Sequence, residues 1–138
     1  RPIQGYYEAA EAWDVDEAAQ DASRQLGWTV RYELPEGVPH YPGMPRPVDV
    51  SVVDRDGKPV DGLAGQLMAI RPSDGRFNQR GNLVAIPSTP GGYRTLVRLD
   101  EPGMWEFRLD TKQQAMRFVH AARVTLPTDA DRMEVQAQ

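Results

Sequence analysis

The period of the hydrophobic pattern changes once along the chain, at Gly27. Before this glycine, apolar residues recur at spacings of three and four, which predicts an amphipathic helix. Its apolar stripe consists of Val15, Ala18, Ala19, Ala22 and Leu26. The segment from Asp14 to Glu17 fits a capping box, because the two carboxylates can accept unpaired amides of the first turn. Gly27 suits the left-handed residue that often follows a helix.

After Gly27 the pattern has a period of two, as in half-buried strands. Residues 28–34 place four apolar side chains on one face: Trp28, Val30, Tyr32 and Leu34. Similar runs follow at 48–53, 67–71, 83–86, 93–99, 105–109 and 116–126. Turn signals such as Asp56-Gly57 separate them. Seven short strands with frequent turns predict a mainly β fold, an immunoglobulin-like β-sandwich of about seven strands preceded by a helical segment.

The length of 138 residues fits one domain. Within it we predict a helical preface at 1–27, the β-sandwich at 28–127 and a C-terminal tail at 128–138. The chain begins with Arg1 rather than Met. We therefore expect that an upstream segment, such as a signal peptide or a membrane anchor, precedes it in the whole protein.

Composition excludes several classes of protein. The net charge of −4 and the pI near 5.1 argue against a general nucleic-acid-binding protein. The absence of cysteine excludes disulfide frameworks and thiolate metal sites. No run of 18 apolar residues occurs that would span a membrane.

Charge is distributed unevenly along the chain. Residues 1–26 contain six acidic residues and two arginines, a net charge of −4. Residues 71–98 contain five arginines and one aspartate, a net charge of +4. Two interpretations stay open: two solvated faces, or a polarised surface that docks a charged partner.

The residues that carry chemistry are sparse, and we predict that the protein is not an enzyme. The only two histidines, His40 and His120, are far apart in the chain, and no nucleophile elbow, zinc-protease helix or phosphate loop is present. The segment Asp54-Arg55-Asp56-Gly57 lacks the spacing of an EF-hand loop and favours a turn.

A copper site is the one metal site that the residues suggest. His40 and Met44 lie four positions apart in a proline-rich loop, and imidazole and thioether ligands suit copper. Met68 or Met104 could add a ligand, although methionines in strands more often fill gaps in a core. One alternative function is therefore a copper-binding carrier domain; no other cofactor is expected.

The aromatic residues allow a second alternative, a carbohydrate-binding accessory sandwich that stacks sugars on exposed rings. Packing in the core is the other interpretation of Trp13, Trp28 and Trp105. We expect Trp13, Trp28 and Tyr6 to fasten the helical preface to the sheet.

Several spacings resemble the FixH family over residues 5–110. They are Tyr6-Tyr7, Trp13-Asp14, Ala22-Ser23-x-x-Leu26-Gly27-Trp28, Val50-x-Val52-x-Asp54-x-x-Gly57-Lys58-Pro59-Val60, Arg71-Pro72, Gly92-Tyr93 and Gly103-x-Trp105-Glu106-Phe107. The resemblance implies one N-terminal transmembrane helix and an extracytoplasmic sandwich. It also implies a role beside the cbb(3)-type cytochrome oxidase and a copper-transporting ATPase, and it carries over no catalytic residue.

The resemblance leads to one functional expectation. We expect a non-enzymatic, membrane-anchored domain on the periplasmic side that acts through protein–protein contacts in oxidase assembly or copper transport. Its partners would be cytochrome oxidase subunits or the copper-transporting ATPase, with no nucleic acid. The helix that anchors it would precede Arg1, which makes the acidic preface the part nearest the membrane.

Overall fold

The computed structural model describes residues 17–35 and 43–126, together with the backbone of 134–136. Tyr6, Trp13, the predicted helix cap at Asp14, and His40 lie outside the described residues. The described part contains one α-helix, a short 3-10 helix at Gly75–Phe77 and nine strands. The helix and strands are α1 (Glu17–Leu26), β1 (Thr29–Glu33), β2 (Arg46–Val53), β3 (Ala64–Ile70), β4 (Gln79–Asn82), β5 (Val84–Ala85), β6 (Gly92–Val97), β7 (Gly103–Gln113), β8 (Met116–Leu126) and β9 (Glu134–Gln136).

Two antiparallel sheets form a sandwich. One sheet has the strand order β1-β2-β6-β5 and the other has the order β4-β3-β7-β8-β9. Burial alternates along β2 and β7, as expected for strands with one face in a core. The largest fully buried side chains come from both sheets and include Trp105, Tyr93, Phe107, Phe118 and Leu67. The predicted mainly β sandwich with an N-terminal helix is confirmed.

Each of the seven predicted runs overlaps one of the strands, and two further strands were not predicted. β4 has the sequence Gln-Arg-Gly-Asn, which lacks any apolar alternation, and it is a strand because it pairs with β3. β9 lies inside the range predicted as a tail and pairs with β8 from Arg123 to Thr125. The division of the chain at 27 and 127 stays a prediction.

The hairpin of β7 and β8 is the longest strand pairing within the described part of the chain. Eleven residues of each strand are in register, from Gly103 opposite Leu126 to Gln113 opposite Met116. A two-residue turn joins them, and Gln114 in this turn has a φ of 56°. This hairpin supplies the centre of the five-stranded sheet.

The helix α1 ends where the sequence predicts, at Gly27 with a φ of +74°. Its buried face differs from the predicted apolar stripe, because Ala18 and Ala22 are exposed. Ser23, at 3% exposure, is the one buried residue of the helix. Its Oγ accepts a hydrogen bond from the backbone N–H of Val119 in β8 (2.9 Å). The helix therefore lies beside β8 and satisfies a strand amide.

Contacts at both ends of α1 fix this position. Ala19 packs on a small buried cluster on the outer face of the five-stranded sheet, formed by Met68, Ile70 and Val119. Leu26 and Trp28 pack on the main core, and the ring of Trp28 lies 4.7 Å from that of Phe118 between centroids. Trp28 thus joins the helix to the sheet as predicted. No helix within the described residues is long and apolar enough to cross a membrane.

Candidate docking site

A groove at the β5 edge of the four-stranded sheet contains the most exposed large apolar side chains of the described residues. Val84 is 66% exposed and Leu96 is 57% exposed. The groove has a volume of about 510 Å³. We call it the β5 groove and define it by its lining residues, which are Asn82, Val84, Ala85, Ile86, Pro87, Arg94, Thr95 and Leu96.

The groove forms because the chain changes sheets at Leu83. Its N–H donates to the carbonyl of Gly65 in β3, whereas the following residue, Val84, pairs with Arg94 of β6. β4 therefore belongs to one sheet and β5 to the other. β5 is only two residues long, so it borders β6 at Arg94 and leaves the stretch around Leu96 uncovered.

A close backbone approach holds β4 against β6 at this crossing. A Cβ at Gly81 would lie 2.3 Å from Oγ1 of Thr95 and 2.5 Å from the carbonyl oxygen of Leu96. Only glycine fits there, because real Cβ atoms essentially never come so close. Gly81 thus sets the spacing of the two strands behind the groove.

The outer edge of β5 offers backbone hydrogen-bonding groups. Successive residues of an antiparallel strand direct their N–H and C=O groups to opposite sides. The N–H of Ile86 donates to the carbonyl of Gly92 (2.9 Å), so the N–H and C=O groups of Ala85 face away from β6. Pro87 has no N–H, which limits this edge to a short pairing site.

Arg94 is the one charged side chain that lines the groove. Its Nε and Nη2 donate to the carboxylate of Asp49 at 2.6 and 2.9 Å, while half of the side chain stays exposed. The Asp49 carboxylate raises the pKa of Arg94, so the guanidinium is always charged. Thr95, at 2% exposure, also lines the groove, but its side chain lies on the core side of β6, where Oγ1 faces Gly81 and has no hydrogen-bond partner among the described residues.

Most arginines of the segment 71–98 have partners in the structure. Arg76 and Arg98 form ion pairs with Asp74 and Asp100, respectively. Arg71 donates to the carbonyl of Met104 and lies 5.5 Å from the centre of the Trp105 ring. Arg80 on β4 is exposed and forms no ion pair within the described residues. Much of the net charge of this segment is therefore balanced by nearby acids.

The structure places the three described methionines among the predicted metal ligands on different elements. Met44 lies just before β2 and is 52% exposed, whereas His40 is outside the described residues. Met68 is buried in the cluster beneath α1, and Met104 is exposed at the start of β7. No group of three acidic or histidine side chains within residues 17–35 and 43–126 is arranged to hold a metal ion. The copper site stays a prediction.

Asp54 forms the predicted turn. Its Oδ1 accepts hydrogen bonds from the backbone N–H groups of Asp56 (2.8 Å) and Lys58 (2.9 Å). Gly57 has a φ of +82°, in the left-handed region that favours glycine. The carboxylate of Asp54 is thus used within its own loop.

The described tryptophan and tyrosine side chains belong to the core. Trp105, Tyr32 and Tyr93 are buried, and Trp28 is half-buried against Phe118. The hydroxyl of Tyr93 donates to the carbonyl of Val60 (2.6 Å), which ties a loop to β6. Among these residues no exposed ring platform exists for stacking a sugar.

Tyr32 and His120 form a buried polar pair between the sheets. The Tyr32 hydroxyl lies 2.9 Å from Nδ1 of His120. Burial raises the pKa of Tyr32 and lowers the pKa of His120, so both groups are neutral at pH 7. The imidazole tautomer decides which of the two groups donates, and in either case the hydrogen bond links β1 to β8.

Together, these features define a mainly β sandwich domain with an exposed, mostly apolar groove at one sheet edge. The FixH family model matches residues 3–125, which is most of the chain. The chain therefore belongs to the FixH family, as the resemblance in its sequence implied. Neither the curated proteins nor the solved structures include one that matches it.

The β5 groove could not be found from the sequence alone. The alternation of apolar and polar residues predicts that Val84 and Leu96 lie on strands. It does not predict which face of each strand stays exposed to solvent. The signal that was available is Gly81 in a polar stretch between two strands, since an isolated glycine there often marks a close backbone approach.

Proposed function

We propose that this chain is the extracytoplasmic part of a membrane-anchored FixH protein that acts through protein–protein contacts and not as an enzyme. Its contacts serve the assembly of a cbb(3)-type cytochrome oxidase or the copper transport associated with it. The family match over residues 3–125 is the observation that carries this proposal.

The exposed β5 groove supports a role in docking. Large apolar side chains on a protein surface mark interaction sites when they are contiguous. Val84 and Leu96 meet in one groove, next to a strand edge, and addition of a partner strand at such an edge is a known mode of recognition.

Co-purification of the full-length protein from host membranes tests the assembly role. We expect oxidase subunits or the copper-transporting ATPase to be recovered with the wild-type protein. Leu96→Asp places a charge in the groove and should lower that recovery, whereas Met116→Asp, on an exposed residue of the other sheet, should not. Recovery of neither partner with the wild-type protein would refute the assembly role.

A topology reporter tests the location separately. Alkaline phosphatase is active only outside the cytoplasm, so its fusion after the last residue of the full-length protein should be active and sediment with membranes. An inactive fusion, or one that stays in the soluble fraction, contradicts a membrane-anchored domain on the periplasmic side.

A further inference from the structure

We propose that residues 1–16 lie across the outer face of the five-stranded sheet and are held there by their acidic side chains. This segment precedes the described part of the chain. The proposed contact is within one chain, so it goes beyond the docking role and does not depend on it.

The pattern of burial along β7 shows which side chains form this outer face. Alternate residues from Trp105 to Thr111 are buried in the core, so the residues between them project outward. Residues directly opposite them in the neighbouring strands project from the same face. We call this the charged face and define it by its charged residues, which are Arg80, Glu106, Arg108, Asp110, Lys112, Arg117 and Arg123.

Positive charge is in excess on the charged face. Its five cations and two carboxylates give a net charge of +3. Both carboxylates form ion pairs with arginines of the same face, at 2.7 and 2.8 Å. The three other cations, Arg80, Lys112 and Arg123, are exposed and form no ion pair within the described residues. The charged face is therefore complementary to an acidic occupant.

The outer face of the four-stranded sheet differs in this respect. Its charged residues are Arg31, Glu33, Asp49 and Arg94, so the positive and negative charges are equal in number. Asp49 and Arg94 also form an ion pair with each other. Of the two outer faces, only the charged face has an excess of positive charge.

The segment 1–16 has the opposite charge. Four acidic residues and one arginine give it a net charge of −3. Opposite charges attract, and weak contacts are sufficient for a segment that is joined to the sheet, because the connection raises its effective concentration. The aromatic residues that we expect to fasten the preface to the sheet belong to the same segment.

The segment is also connected at the right place. Ala19, in the first turn of α1, packs on the cluster of apolar residues that lies on the charged face. The chain before Glu17 therefore leaves α1 beside this face. Sixteen residues extend about 24 Å as a helix and about 50 Å as a strand, whereas five adjacent strands are about 20 Å wide. The segment is long enough to cross the face in either conformation.

Paramagnetic relaxation enhancement in the 138-residue chain tests this position. The sequence has no cysteine, so Ala10→Cys gives a single attachment point for a nitroxide, which broadens the amide signals of nearby residues. We expect stronger broadening at Arg80 and Arg108 on the charged face than at Asp49 and Ser51 on the other outer face. Equal broadening of the two faces, stronger broadening of the four-stranded sheet, or no broadening overturns the proposal.

Charge substitutions on the sheet test what holds the segment. Arg80→Glu, Lys112→Glu and Arg123→Glu, made together, should at least halve the broadening at Arg108. The matched control Arg31→Glu reverses an exposed cation on a strand of the other outer face and should leave the broadening unchanged. Broadening that persists in the triple variant, or that falls equally in the control, overturns the role of charge and with it the proposal.

A variant of the segment itself repeats this test without any change in the sheet. Glu8→Gln, Glu11→Gln, Asp14→Asn and Asp16→Asn remove its negative charge and should reduce the broadening to the same extent. A mixture of isotope-labelled chain without nitroxide and unlabelled chain with nitroxide distinguishes contact within one chain from exchange between two copies. Broadening in that mixture overturns the proposal.

Discussion

His120 makes the stability of the protein depend on pH near neutrality. Burial lowers the pKa of its imidazole below the usual value of about 6.5, so the folded protein binds the proton less readily than the unfolded chain. The contribution of His120 to the free energy of unfolding is therefore fully present above about pH 6.5 and is lost as the pH falls through the folded-state pKa. We expect the free energy of unfolding, measured in urea, to fall less between pH 7 and pH 5 in His120→Gln than in the wild type.

Tyr32→Phe serves as the control for this prediction. It removes the hydroxyl that bonds to Nδ1 but keeps the ring beside Phe107 and the titratable imidazole. Its stability should be lower at every pH while the pH dependence persists. The same pH dependence in His120→Gln as in the wild type would show that another group is responsible.

Gly27 and Gly57 both have left-handed backbones, with φ values of +74° and +82°. An alanine costs about 1–2 kcal/mol in this region. At Gly27 the added Cβ would also lie 2.8 Å from Nε of Arg55, whose Nη2 donates to the carbonyl of Gln25. At Gly57 no atom lies within 4 Å of the added Cβ. We expect Gly27→Ala to lower the melting temperature more than Gly57→Ala does; equal shifts would contradict the contact with Arg55.

The packing of α1 beside β8 depends on one side-chain hydrogen bond. Ser23→Ala leaves the buried N–H of Val119 without a partner, which costs about 1–3 kcal/mol. We expect this loss in urea unfolding, together with faster hydrogen exchange at the Val119 amide. The control Ala22→Ser changes an exposed neighbour and should alter stability by less than about 0.5 kcal/mol. Unchanged exchange at Val119 would rule out the bond.

Local patterns predict where helices and strands occur, but not how they contact one another. Gly27 and the alternation from Trp28 to Leu34 were sufficient to place the end of α1 and the strand β1. The buried position of Ser23 was not predictable, because it arises from a strand amide distant in the sequence. β4 was missed for the same reason: its polar residues form a strand only because β3 lies beside them.

The two sheets share one core, so truncating a single buried side chain should destabilise the whole molecule. Phe107 is fully buried, and its ring meets the edge of Tyr32 from the opposite sheet at 5.6 Å. Phe107→Ala should cost about 3–5 kcal/mol, a large part of a typical stability of about 5–15 kcal/mol. We expect one cooperative transition at much lower urea concentration, seen alike by circular dichroism and tryptophan fluorescence. The exposed control Val84→Ala should leave the midpoint nearly unchanged.

The candidate site exists only once both sheets have come together, which is why the sequence does not indicate it. Residues of the groove come from three strands of two sheets, and they meet because the chain crosses between the sheets at Leu83. The uneven charge along the sequence allows two interpretations, two solvated faces or a polarised surface. The structure pairs most of those arginines with nearby acids, so the uneven charge along the chain does not become a uniformly basic face.

The long hairpin of β7 and β8 has a consequence for the order of folding. Its two strands are joined by two residues, so their pairing closes almost no loop and carries a small entropic cost. The pairing of β2 with β6 instead joins residues about fifty positions apart, such as Arg46 and Val97. Contacts between distant residues slow folding. We therefore expect the hairpin to form early and the four-stranded sheet, which carries the β5 groove, to assemble on it last.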